Sequence, residues 1–223
     1  MRVETYYHQI QTAFTAQANP ENAKAMRSYM RDHFDFLGIK TPLRRALIKG
    51  LGKVNFDHAD LEQLVRALWL LPQREYQYAA IDFLMTHKKK LGLSQLGLLL
   101  SLAQEKSWWD SVDGLASVAG DVLFANRTQQ SQLHMDSALR HTNMWVRRIA
   151  MTHQLGWRLE TDQERLFGYA QELAREEDFF IRKAIGWALR DYARWQPEAV
   201  GKFVEAHRTQ LSNLSVREAL KHL

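Results

Sequence analysis

"VRR" at 146–148 recurs as "IRK" at 181–183 and again as "VRE" at 216–218, each time 35 residues further on. Weaker echoes lie upstream in "TPLRRALIK" (41–49) and "REYQYAAID" (74–82). A period of this length with two helices per unit is the mark of a helical solenoid, in which no unit buries its apolar face alone and stacking builds one continuous core. The tetratricopeptide pattern of Trp, Leu-Gly, Tyr and Pro at set places is absent, which leaves HEAT-like helix pairs. Local signals agree. Thr41-Pro42 reads as a cap followed by a proline in the first turn, and Thr161…Glu164 and Ser215…Glu218 read as capping boxes. The four prolines, Pro20, Pro42, Pro72 and Pro197, all fall where helices should begin. With no run of alternating β-type residues, the expectation is an all-α chain of about a dozen helices. It forms one domain over residues 1–223, with one curved face.

The repeated cation has a physical consequence. One Arg or Lys at the same place in each unit lines one surface with positive charge, and such a stripe is able to track a phosphate backbone. Arg147, Arg148, Arg182 and Lys183 are the residues concerned. The other reading is that these cations pair with acidic residues of neighbouring repeats and hold the solenoid together.

Composition narrows the classes. The 223 residues are 46% hydrophobic and 25% charged, which suits a folded soluble chain. There is no cysteine, so disulfides, cysteine nucleophiles and zinc–thiolate sites are excluded. The nine histidines show no metal-ligand spacing, and no metal or cofactor is expected. "MRVETYYHQIQTAF" is too polar for a signal peptide, and Leu91–Ala103 is too short and interrupted to span a bilayer. A cytoplasmic monomer without membrane contact is expected. A net charge of +5 is compatible with a polyanionic partner.

"KSWWDSVDGLASVAGDVLF" (106–124) reads as a helix that opens on two adjacent tryptophans and two aspartates. Trp109 and Asp113, four residues apart, share a helix face, whereas Trp108 and Asp110 point elsewhere. That face sets an indole beside a carboxylate. The other reading, which periodicity alone favours, is that Trp109 is a core residue and Asp113 a cap or the partner of a neighbouring arginine. Trp69 and Trp157 read as core.

"NPENAKAMRSYMRDHFDFLGIKTPLRR", "KSWWDSVD", "NMWVRRIAMTHQ", "FFIRKAIGWALRDYA" and "REALKHL" together resemble the AlkD family of DNA glycosylases over nearly the whole chain. The resemblance implies a superhelix of HEAT-like pairs gripping duplex DNA on a concave side. It implies removal of alkylated bases without a base-flipping pocket. It places the family's catalytic aspartate on Asp113, its two active-site tryptophans on Trp109 and Trp187, its phosphate-contacting arginine on Arg148 and an N-terminal tyrosine on Tyr29. The sequence departs from the family pattern at none of these five positions.

The residue types suit that chemistry. Breaking an N-glycosidic bond builds oxocarbenium character on the sugar. No general acid accompanies Asp113, but N3-methyladenine and N7-methylguanine are already cationic and leave unaided. One carboxylate is then sufficient to stabilise the sugar, and indole faces attract the same developing charge. No lysine is set up as a Schiff-base nucleophile, so the implied enzyme is monofunctional. Two other functions share the fold: a non-catalytic DNA-binding relative and a protein-binding scaffold.

Overall fold

The computed structural model describes residues 3–223; Met1 and Arg2, at the start of the expected domain, lie outside them. The described residues form thirteen α-helices and no strand; an isolated bridge joins Asp35 to Gln73. The chain divides into two compact units, Met1–Leu91 and Gly92–Leu223. The division falls between Leu91 and Gly92, at the end of the basic stretch "THKKKLG" (86–92).

The first unit holds α1 (Val3–Thr15), α2 (Pro20–Tyr29), α3 (Thr41–Gly50), α4 (His58–Leu70) and α5 (Arg74–Thr86). Helices α1, α3, α4 and α5 pack together around Tyr6, Ile10, Phe14, Leu64, Leu68 and Trp69, all fully buried. Each such side chain contributes roughly 1.5–3 kcal/mol on leaving water. Arg44 of α3 is also buried, and donates to Asp82 of α5 from Nε (3.1 Å) and Nη2 (3.0 Å).

The second unit shows the repeat most clearly. It comprises α6 (Leu96–Leu102), α7 (Trp109–Ala125), α8 (Gln129–Leu139), α9 (Met144–Thr152), α10 (Gln163–Glu172), α11 (Phe179–Ala193), α12 (Pro197–Ala206) and α13 (Asn213–Ala219). Helices α7, α9, α11 and α13 form one row, each packed on the next. They begin at residues 109, 144, 179 and 213, so the 35-residue period is the spacing of this row to within one residue. Helices α8, α10 and α12 form a second row, joined by Arg165 of α10 on Asp136 of α8 and by stacking of Phe167 on Phe203 at 4.3 Å. Two glycines allow the close approach within the first row. A Cβ on Gly120 would lie 2.1 Å from the His153 carbonyl oxygen, and one on Gly186 would lie 2.5 Å from the Glu218 Cβ.

The caps differ from expectation by one to three residues. Thr41 is itself the first residue of α3, and the cap position is Lys40, without a side-chain bond. Asp162 rather than Thr161 caps α10; Gln154 holds its backbone at both N–H and C=O, which turns its carboxylate onto the Arg165 N–H. Ser212 caps α13, while Ser215 is buried inside the helix and donates to the Arg182 carbonyl. Pro20, Pro42 and Pro197 lie in first turns, and Pro72 stands in the joint just before α5. Trp69 and Trp157 are buried.

Candidate functional site

Helix α7 starts at Trp109 directly after a tight turn in which Lys106 adopts a left-handed backbone (φ 48°). For a non-glycine residue this conformation costs on the order of 1–3 kcal/mol, held by its surroundings. The turn sets Trp108 outside the helix, where its ring meets Trp145 at 5.8 Å and Phe180 at 4.9 Å; Trp145 and Phe180 lie 5.0 Å apart. The first turns of α7, α9 and α11 are therefore tied by one cluster of rings. Sequence reading missed it. The available signal is that Trp145 and Phe180 stand one period apart.

Asp113 lies one turn beyond Trp109 on the same face of α7. Arg148 of α9 forks onto its carboxylate, Nε to Oδ1 at 2.8 Å and Nη2 to Oδ2 at 2.9 Å. The third nitrogen of Arg148, Nη1, donates to the Phe180 carbonyl at 2.5 Å. That carbonyl is held by the start of α11, where Asp178 caps the N–H groups of Phe180 and Ile181. Three helices thus fix one guanidinium, and the guanidinium fixes one carboxylate. Arg148 is 4% exposed; the Asp113 side chain retains 18%. Burial pushes the Asp113 carboxyl above its ordinary value. The hydrogen bonds and charge of Arg148 pull it back, and Asp110 adds to the rise.

The remaining residues fall into two groups. Trp187 lies on α11 two turns after Phe180 and is partly exposed, as is Trp109. Tyr29 ends α2 in the first unit and is 71% exposed. The periodic cations are engaged within the second unit. Arg147 donates to Glu176 at 2.9 Å and to the carbonyls of His141 and Thr142, Arg182 donates to the Glu176 carbonyl at 2.9 Å, and Lys183 meets Glu218 at 2.9 Å. Arg147 and Lys183 thus make the inter-repeat pairing that sequence left open beside the phosphate stripe, whereas the Arg182 bond stays within its own repeat. Among the described residues, no group of three or more His, Asp or Glu side chains is gathered for a metal ion.

The family model for DNA alkylation repair enzymes matches residues 10–223. The chain belongs to the DNA alkylation repair enzyme family. Among solved structures, a protein from Enterococcus faecalis described as a predicted DNA alkylation repair enzyme is 33% identical, with 93% of this chain and 97% of that one covered and a TM-score of 0.85. AlkD2 from Streptococcus mutans, 16% identical, shares the fold with a TM-score of 0.66 and 99% of both chains covered. The protein smu.31 from Streptococcus mutans UA159, also 16% identical, does so with a TM-score of 0.62, over 81% of this chain and 90% of that one. No curated protein matches. The all-helical repeat is the fold of this AlkD-like group. No described helix is long and apolar enough to cross a membrane.

Proposed function

We propose that the protein is a monofunctional DNA glycosylase hydrolysing the N-glycosidic bond of cationic alkylated purines, N3-methyladenine and N7-methylguanine, in duplex DNA without flipping the base. It works as a monomer in the cytoplasm, with the two units acting as successive parts of one repeat domain. The observation that carries this reading is the Asp113 carboxylate, partly open and immobilised by the Arg148 fork.

The chemistry divides between substrate and protein. The electron pair of the C1′–N bond leaves with the purine, which departs neutral because it was cationic in the bound state. The sugar takes up the positive charge, and water then adds at C1′ and loses a proton to solvent. Neither step calls for a metal, a cofactor or an acid on the base. Asp113 supplies negative charge where positive charge grows. A carboxylate at ~4 Å in an effective dielectric of ~20 interacts by ~4 kcal/mol. The share of that energy gained only in the transition state accelerates the reaction by roughly 10² to 10³. A carboxylate already held in place needs no reorganisation as charge develops.

Trp109 and Trp187 present indole faces to the sugar, where cationic character strengthens the contact. Arg148 uses three of its five N–H groups within the protein, and the other two are its means of reaching a phosphate. Tyr29, Arg147, Arg182 and Lys183 complete the proposed contacts with DNA. The alternative of a non-catalytic scaffold draws on the same ion pairs, which occupy the periodic cations.

Single-turnover release from duplexes that differ only in the lesion tests the proposal. N3-methyladenine and N7-methylguanine are released, and uracil and hypoxanthine are not, because neutral bases leave poorly without protonation. Efficient uracil release contradicts the mechanism, and release of none of the four favours the scaffold.

A further inference from the structure

The first unit contains a cavity of about 770 Å³ that has no part in the proposed excision chemistry. Its volume lies within the roughly 300–1,000 Å³ usual for small-molecule sites. The floor is aromatic. Tyr6 of α1 meets Phe56 at 5.6 Å and Phe83 of α5 at 5.8 Å, both edge-on, and all three rings are buried. Ile48 and Val54 extend the apolar wall.

The rim is cationic. Lys49, in the last turn of α3, and Lys53 both line the opening and are exposed. The one carboxylate of the lining, Asp82, is already neutralised by Arg44 at 3.0 Å and Arg45 at 2.9 Å. Lys49 complements the carbonyl end of α3, as helix-terminal lysines do. Lys53 has no such role, because it follows Gly52 (φ 88°), beyond the helix. The Tyr6 hydroxyl donates to the Gly52 carbonyl at 3.3 Å and so ties the lysine-bearing loop to the aromatic floor.

The geometry points to a nucleotide-binding site, with the base on the aromatic floor and the phosphate between Lys49 and Lys53. Polar groups in the wall favour a heteroaromatic ring over an alkyl chain. His87 uses Nδ1 on the Phe83 carbonyl, and the Asn55 side-chain oxygen takes Lys90. The His87 Nε2 and the Asn55 amide N–H groups remain for the edge of a base. The nucleotide comes either from the free pool or from the terminus of a DNA strand; both present the same base and phosphate.

Equilibrium dialysis of the full chain with AMP tests the site. AMP binds saturably at one site, adenosine and inorganic phosphate each bind at least tenfold more weakly, and decanoate does not displace AMP. The double variant Lys49→Glu/Lys53→Glu weakens AMP at least tenfold, and Val54→Trp, which fills the cavity from its loop, abolishes binding. Competition by a 5′-phosphorylated trinucleotide assigns the site to strand termini; lack of competition assigns it to free nucleotides. Absence of saturable AMP binding, or equal affinity in wild type and both variants, overturns the inference, as does binding of decanoate in place of AMP. Single-turnover excision is read in parallel. It rests on Asp113 in the other unit, so its failure strikes the proposed function and leaves this site standing.

Discussion

Two ion pairs in the second unit occupy the same place in successive repeats and behave oppositely. Asp113, Arg148, Lys183 and Glu218 stand 35 residues apart along the row α7, α9, α11, α13. Arg148 reaches back to Asp113, and Lys183 reaches forward to Glu218. In the first pair a rigid fork meets a carboxylate among packed helices, with side chains 5% and 18% exposed. In the second a flexible ammonium, 37% exposed, shares Glu218 with Arg190 at the end of the row. The hydrogen bond from Lys183 leads in holding the Glu218 carboxyl below its ordinary value; burial opposes it, and the charges of Lys183, Arg190 and Lys221 support it. At Asp113 burial leads, and the carboxyl is raised despite its cation. Pairing alone therefore does not set the charge state of a carboxylate: at Asp113 the cost of burial outweighs one cation, and at Glu218, whose side chain is 13% exposed, the cations outweigh burial. The pair with the buried, rigid cation is the one suited to chemistry, and the pair with the solvated, flexible cation to holding repeats together.

The largest effect separating the pairs is on stability. Arg148→Ala leaves a largely buried carboxylate without its partner and should cost about 3–5 kcal/mol in denaturant unfolding. Lys183→Ala should cost no more than about 1 kcal/mol, since the lysine is solvated and Arg190 remains on Glu218. Equal losses would erase the distinction. The same Arg148→Ala protein sharpens the role of the arginine in DNA binding. Its salt slope should fall by about one unit if the two remaining N–H groups take a phosphate. An unchanged slope makes Arg148 purely a holder of Asp113.

Smaller effects follow at the indoles. Trp109→Leu and Trp187→Leu should each slow excision roughly tenfold, in keeping with a cation–π contribution of about 0.5–2 kcal/mol. Affinity for damaged duplex should fall less. Matching losses of rate and affinity would show that these rings only grip DNA.

The smallest effect is at Glu218. Because its folded pKa is depressed, its contribution to stability is present above the unfolded value and fades as pH falls through the folded one. Glu218→Gln should therefore be less stable than wild type by under about 1 kcal/mol near neutrality, and the gap should close as the solution becomes acidic. A gap that widens on acidification would contradict the assigned shift.

Much of this was legible because a repeat writes its geometry into its spacing. The period at 146, 181 and 216 foretold the row of helices, and it also contained the Asp113–Arg148 pair, since 113 and 148 are one period apart. What sequence could not decide was whether the repeated cations face a polyanion or the acidic residues of neighbouring repeats, because that depends on side-chain reach between helices. The caps were displaced for a related reason. Ser215 has the right type and spacing for a capping box, but its place within the row buries it against α11 and leaves Ser212 to cap. Trp108 looked incidental because a helix starting earlier would turn it away; the left-handed turn at Lys106 brings it onto Trp145 and Phe180.

The claim that Asp113 acts as an ionised carboxylate is tested most directly by single-turnover release of N7-methylguanine, wild type against Asp113→Asn, across the acid range, with duplex affinity measured alongside. Asn keeps the shape and removes the charge. The variant should be slower by roughly 10² or more near neutrality while still binding duplex. The wild-type rate should be full above the Asp113 pKa and fall as pH drops through it. Because that pKa is raised, the fall should begin at a higher pH than an ordinary aspartate would give, and the variant should lack it. A near-normal rate for Asp113→Asn, or an acid limb that survives the substitution, would remove this carboxylate from the reaction.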